Sequence, residues 1–147
     1  MGSGFMGVGI AQVAAQAGDD VILNDTTREW VARGLQTVSD NLDHQVKKRK
    51  ISESDKRVLI AKIAVTADLN DAAVTDFVIE AAFESFDVKR DIFEKLGCCL
   101  SSRCDLCDEH ILKSHNKTGV HRASAGKVYR HAFFQPVPVM ALVGIIR

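Results

Sequence analysis

Apolar and polar positions alternate with helix-like and strand-like periods along the first two thirds of the chain. After a glycine turn, Val8, Ile10, Ala11, Val13, Ala14, Ala15 and Ala17 predict a helix, and Gly18 supplies its stop. Val21-Ile22-Leu23 reads as a short buried strand closed by Asn24-Asp25-Thr26-Thr27. From about Glu29 to Lys50, Val31, Leu35, Val38, Leu42 and Val46 recur on one helical face. Ser52-Glu53-Ser54-Asp55 has the form of an N-cap with first-turn acids, and Val58, Leu59 and Ile63 are expected to carry the next helix inward. Phe77-Val78-Ile79-Glu80-Ala81-Ala82 is a second apolar strand. Val88 to Leu96 is amphipathic again, with Ile92, Phe93 and Leu96 apolar. Strands alternating with helices imply parallel pairing in an α/β sheet. Beyond Leu96 the pattern dissolves until Phe133-Phe134-Gln135-Pro136-Val137-Pro138 and a last apolar run, Val139 to Ile146, so the last third is expected to follow no folding pattern.

Composition narrows the class. A chain of 147 residues, 46% hydrophobic and 26% charged, suits one compact domain and excludes wholesale disorder. Basic and acidic residues balance at 19 each, so no global field points to nucleic acid or a membrane surface. No apolar run approaches the roughly 20 residues of a membrane span. Met1-Gly2-Ser3-Gly4 has no basic n-region, and a cytoplasmic location is expected. The balance conceals a division, however. Residues 1–109 hold every acidic residue, whereas residues 110–147 hold six bases and no acid. All four cysteines (Cys98, Cys99, Cys104 and Cys107) fall within ten residues, and four of the five histidines follow Cys107. Such a change marks a boundary.

Gly2-Ser3-Gly4-Phe5-Met6-Gly7 matches the dinucleotide pattern G-x-G-x-x-G. In that pattern the first glycine makes a tight turn and the second lets the backbone approach a pyrophosphate. The third allows close helix packing, with the positive helix end toward the phosphates. Asp25 ends the next strand, where an acid hydrogen-bonds the adenine ribose and favours NAD over NADP. The strand that should precede Gly2 is expected to be lacking. Cys104, Cys107, His110 and His115 invite a zinc reading. Cys107 and His110 are too close in sequence, without a hairpin or helix signal, to favour it. Thiols without a designed role and no metal are the expectation, and the basic tail reads as solvated charge.

These motifs together resemble the NAD-binding domain of the 3-hydroxyacyl-CoA dehydrogenases, the 3-hydroxybutyryl-CoA group included. The resemblance rests on Gly2 to Ala11, Asn24-Asp25 and Asp76 to Ala81. It rests also on Glu84 and Lys89 in an E-x-x-x-x-K pattern, and on Phe133-Phe134-Gln135-Pro136-Val137-Pro138-Val139-Met140, similar to the family's H-F-F-N-P-V-P-V-M. It implies a Rossmann-type parallel sheet lacking its first strand, without the C-terminal helical domain that completes the acyl-CoA site and dimerises. It also implies that Gly2, Gly4, Phe5, Met6, Gly7, Asp25, Glu84, Lys89 and Gln135 bind NAD, and that Lys48 meets the CoA phosphates. A histidine would take the proton of the substrate's 3-hydroxyl, oriented by a glutamate. Two other classes stay open: a non-catalytic NAD-binding module, and a Cys/His metal-binding interaction protein.

The chain departs from the family in its last third. Ala132 stands at the position of the catalytic histidine, with His131 one residue early as the remaining candidate. Gly144 stands for the orienting glutamate, and the family's Asn-Thr-Ser-Ser segment is missing. A shifted reading frame over about residues 97–132 accounts for this. Taking the last two bases of each codon with the first of the next, permitted codons from Gly97 give Asp-Ala-Val-Cys-Arg-Pro-Asp-Ala-Ile-Phe-Ala-Thr-Asn-Thr-Ser-Ser. From Arg130 they give Gly-Met-His-Phe. On this reading residues 1–147 are one incomplete NAD-binding domain in which 97–132 is not family-like sequence.

Overall fold

The computed structural model of the chain describes residues 1–83, 85–99, 105–109, 128–133 and 143–146. Helix α1 (Phe5–Ala17) follows the glycine turn and ends at Gly18, whose φ of 108° is the left-handed conformation expected of a glycine stop. Strand β1 (Val21–Asn24) leads to α2 (Arg28–Lys47), which Thr27 caps by accepting the Trp30 amide. Helix α3 (Glu53–Ala61) opens on a complete capping box, with Ser52 and Asp55 each accepting the other's backbone amide. There follow β2 (Ile63–Thr66), a 3-10 turn (Leu69–Val74), β3 (Phe77–Glu80), α4 (Phe86–Cys99), β4 (Asp105–Glu109), β5 (Val128–Phe133) and β6 (Val143–Ile146). Among the described residues, no helix is long and apolar enough to cross a membrane.

Two sheets result. β1 pairs with β2 in parallel, Val21 opposite Ile63. β3, β4 and β5 run parallel in that order, and β6 closes the second sheet antiparallel to β5. Met1 and Gly2 bridge the facing edges of the sheets. The Met1 amine donates to the Ile79 carbonyl at 2.6 Å and the Met1 carbonyl accepts from Ala81 at 2.8 Å, while the Gly2 amide donates to Asn24 at 2.9 Å. Between β1 and β3 lies a groove of about 930 Å³. The main core joins Val8, Ala11 and Ala15 of α1, Leu23 of β1, Val31, Val38 and Leu42 of α2, and Ile63 of β2. A smaller cluster holds Val78 of β3 against Phe93 and Leu96 of α4.

Three sequence expectations are corrected. Ile63 heads a strand instead of extending α3. Val58 is exposed, and α3 buries no residue fully; only Leu59 and Ile60, both partly exposed, lean on the core. So short a run, three apolar residues and a threonine, cannot be told from a helix end by periodicity alone, which is why β2 escapes the pattern. β4 and most of β5 fall where no element is expected. Their pairing is made by backbone groups, which the side-chain pattern of Asp-Leu-Cys-Asp-Glu does not announce.

Candidate cofactor site

The turn from Met1 to Gly4 is built by close backbone approach. Gly2 has a φ of +87°, and a Cβ there would lie 2.5 Å from the Ala81 carbonyl oxygen. A Cβ on Gly7 would lie 1.8 Å from the Gly2 carbonyl oxygen, so the first turn of α1 sits directly on the loop. Gly4 differs. A Cβ there would meet nothing within 4 Å, and Gly4, the N-cap residue, offers no side chain to the helix start. The positive end of α1 thus opens onto clear space at exposed Gly4 and Phe5, a cradle with the room and polarity for a phosphate.

Asp25, just past β1, is tied to this turn. Its Oδ2 accepts the Ser3 amide at 2.7 Å and the Ser3 hydroxyl at 2.6 Å. Its Oδ1 accepts the Thr26 amide at 2.7 Å and the Thr26 hydroxyl at 3.2 Å. Partial burial pushes the carboxyl pKa up, but the hydrogen bonds from Ser3 and Thr26 outweigh it and hold the group below its usual range. The acid is therefore ionised at neutral pH. Beside the ends of β1 and β2, a cavity of about 670 Å³ is lined by Arg28, Val31, Ala32, Val65, Thr66 and Asp68, among others. The Asn24 amide donates to the carbonyls of two of these lining residues, Thr66 and Asp68.

Lys89 is buried on α4, and its Nζ lies 2.7 Å from Glu80 Oε2 at the end of β3. Glu80 is fully buried, and its Oε1 also accepts the Ala82 amide. Lys48 caps the exposed C-terminal end of α2, whose first turn touches Ser3 through the Trp30 carbonyl. Twenty helical residues separate the two ends, about 30 Å at 1.5 Å per residue. The structure brings Gly2, Gly4, Phe5, Gly7 and Asp25 together, with Met6 in the same helical turn, and leaves Lys48 apart. His131 lies in β5, opposite Glu109 on one side and Ile145 on the other; Ala132 faces Gly144 across the β5–β6 pair. Glu84, Gln135, Cys104, His110 and His115 lie outside the described residues.

Sequence reasoning misses Ser3 and Glu80. Ser3 occupies a variable place in the glycine pattern and carries no signal. Glu80 does carry one, as a lone acid within an apolar strand with a lysine on the following helix.

The family model of the 3-hydroxyacyl-CoA dehydrogenase NAD binding domain matches residues 1–147. The chain belongs to this family. It is 36% identical over its whole length to the 3-hydroxybutyryl-CoA dehydrogenase of Bradyrhizobium diazoefficiens, covering 50% of that protein. It is 32% identical to the human mitochondrial hydroxyacyl-coenzyme A dehydrogenase, covering all of this chain and 49% of that protein. The crystal structure of (S)-3-hydroxybutyryl-CoA dehydrogenase from Ralstonia eutropha superposes with a TM-score of 0.93 at 36% identity, over 99% of this chain and 52% of that one. The chain thus spans about half the length of the relatives it matches. The α/β fold with a Rossmann-type parallel sheet is the one expected, and NAD is the cofactor of the family's domain.

Proposed function

We propose that the chain binds NAD as part of a dehydrogenase that oxidises a 3-hydroxyacyl-CoA, such as 3-hydroxybutyryl-CoA, to the 3-oxoacyl-CoA in fatty-acid metabolism. The observation that carries this reading is the ionised Asp25 carboxylate, held by Ser3 against the glycine turn at the open start of α1. Gly2, Gly4, Phe5, Met6 and Gly7 shape the pyrophosphate cradle. Asp25 takes the ribose hydroxyls and repels a 2′-phosphate. Glu84, Lys89 and Gln135 are the further NAD-binding residues of this reading, and the Glu80 pair fixes Lys89. When bound, NAD supplies the hydride acceptor. Lys48 is assigned to the CoA phosphates. Dimer contacts are assigned to a helical domain of the longer relatives, and the location to the cytoplasm.

Proton abstraction is the weak point of this chain. Ala132 cannot accept a proton, and Gly144 opposite it cannot orient one. His131 is the base nearest in sequence, and successive strand residues face opposite sides of a sheet. This favours binding with little turnover. A shifted frame over residues 97–132 remains our account of the loss. Calorimetric titration with NAD and NADP, together with an assay on 3-hydroxybutyryl-CoA, tests the reading. NAD should bind tighter than NADP, and turnover should fall short of an intact relative by about 10²–10⁴-fold, the contribution of a general base. Equal NADP binding refutes the Asp25 assignment, and robust turnover abolished by His131→Ala makes His131 the base. Coding DNA with codons incompatible with the alternative reading refutes the frame shift.

A further inference from the structure

We propose that the Ser3 hydroxyl is a placeholder for a nucleotide's ribose hydroxyl on Asp25, and so limits how tightly this chain takes nucleotides that carry free ribose hydroxyls. The proposal rests on Asp25 as the ribose acceptor. A carboxylate offers about four lone-pair sites. In this structure four donors already approach the two oxygens: two on Oδ2 from Ser3 and two on Oδ1 from Thr26. The two backbone amides are fixed by the chain path. The two hydroxyls can turn away. Of these, the Ser3 hydroxyl is the closer, at 2.6 Å against 3.2 Å, and belongs to a buried residue, whereas Thr26 is exposed. It is therefore the stronger competitor with an incoming ribose.

The Ser3 proton has a second acceptor. Ser3 Oγ lies 3.0 Å from the Trp30 carbonyl oxygen in the first turn of α2. The Ser3 backbone has little room to retreat, because α2 packs closely on it: a Cβ on Gly34 would lie 2.8 Å from the Ser3 Cβ. Without nucleotide, the shorter bond to the charged carboxylate wins, since hydrogen bonds to ionised groups are roughly twice as strong as neutral ones. When a ribose hydroxyl donates to Oδ2, the Ser3 proton turns to the Trp30 carbonyl and the Ser3 oxygen swings back from Oδ2, since two oxygens 2.6 Å apart with no proton between them repel. The exchange of a charge-assisted bond for a neutral one is subtracted from every such binding event.

Ser3→Ala removes the competitor while keeping the Cβ packed under Gly34, and Ser3→Gly is the second variant, giving the same comparison should the first not fold. Calorimetric titrations of the 147-residue chain would use NAD, ADP and 2′,3′-dideoxy-ADP, with thermal melts confirming that each variant is folded. The expected result is NAD and ADP binding tightened about three- to tenfold, from the difference between a charge-assisted and a neutral hydrogen bond. Dideoxy-ADP affinity should stay unchanged. NAD affinity unchanged or weakened in the folded variants overturns the placeholder role, as does equal tightening of dideoxy-ADP. Asp25→Asn separates the two layers of argument. If it leaves NAD and ADP affinity intact, the ribose assignment itself fails; if it weakens both while Ser3→Ala tightens neither, the placeholder role alone fails.

Discussion

Gly4 and Gly7 belong to one motif, yet the structure gives them separate duties that substitution by alanine should separate. At Gly7 the added Cβ would sit 1.8 Å from the Gly2 carbonyl oxygen and 2.9 Å from its carbon, both backbone atoms that cannot rotate aside. Overpacking of this kind costs about 1–3 kcal/mol, and contact with fixed backbone puts it at the upper end. Against this, Gly7 is the third residue of α1, where replacing glycine by alanine gains about 1 kcal/mol in helix propensity. The clash wins, with a net loss of about 2 kcal/mol. For a chain of this size that lowers Tm by about 4–8 °C. At Gly4 the same methyl meets no atom within 4 Å and the backbone is extended, with φ −69° and ψ −174°. Loss there is confined to the modest preference of N-caps for glycine over alanine, so the melt should shift by no more than about 3 °C. The methyl nevertheless stands in the space assigned to the pyrophosphate, and NAD affinity should fall at least about tenfold, the equivalent of 1.4 kcal/mol. Melts followed by circular dichroism and calorimetric NAD titrations on both variants provide the readout. A Gly7→Ala protein melting within 2 °C of the parent, or a Gly4→Ala protein binding NAD undiminished, would refute the division of labour.

The remaining predictions concern the core and the charges. Glu80→Leu removes the carboxylate 2.7 Å from the buried Lys89 ammonium and should destabilise by about 3–5 kcal/mol in a denaturant melt, whereas Glu80→Leu with Lys89→Met should recover most of that; a double variant as unstable as the single one would show that the buried lysine charge is not the source of the loss. Leu42→Ala empties a fully buried site between α1 and α2 and should cost about 2–5 kcal/mol, while Val58→Ala on the exposed side of α3 should stay within about 0.5 kcal/mol. The Asp25 pKa is depressed in the folded chain, so its contribution to stability is present above the unfolded value of about 3.9 and is lost as pH falls below it. NAD affinity should therefore be flat from about pH 5 to 8 on the Asp25 account, and a midpoint near neutrality that disappears in Asp25→Asn would contradict it.

The first half of the fold was legible because each element there carries its own punctuation. Gly18 ends α1 in the conformation the residue type implies, Thr27 and Ser52 cap α2 and α3, and Val31, Val38 and Leu42 bury the stripe their spacing predicts. The placement of Asp25 beside the glycine turn was legible because strand end and turn fix its position jointly. Ser3 was not, because its role depends on α2 coming within reach, a tertiary fact with no local pattern. The same holds for Lys89. The family pattern marks it as a cofactor residue, but its burial against Glu80 follows from how α4 packs on β3. Lys48, given to the CoA phosphates by resemblance alone, carries no local pattern of its own and lies at the far end of a long helix from the glycine turn.

The segment after α4 is where local sequence and tertiary pairing conflict most. β4 runs between β3 and β5 and is paired in parallel on both sides. Strands so placed normally read as near-continuous apolar runs, because helices cover both faces of a parallel sheet. Asp-Leu-Cys-Asp-Glu reads instead as three carboxylates among two apolar residues, and unpaired burial of even one carboxylate is costly. In the shifted frame, the five residues falling on positions 105–109 are Ile-Phe-Ala-Thr-Asn, a sequence with β-branched and aromatic residues suited to a central strand. The backbone of β4 thus occupies the place where the alternative reading supplies a strand-like side-chain pattern and the present one does not. Downstream, Ala132 and Gly144 face each other in the β5–β6 ladder, so the two positions that the resemblance assigns to proton abstraction are adjacent across one strand pair. The shifted reading restores a histidine to the first of them and leaves the second a glycine. Frame repair should accordingly improve the packing of the sheet more than it restores turnover, since a histidine opposite Gly144 has no carboxylate to orient it.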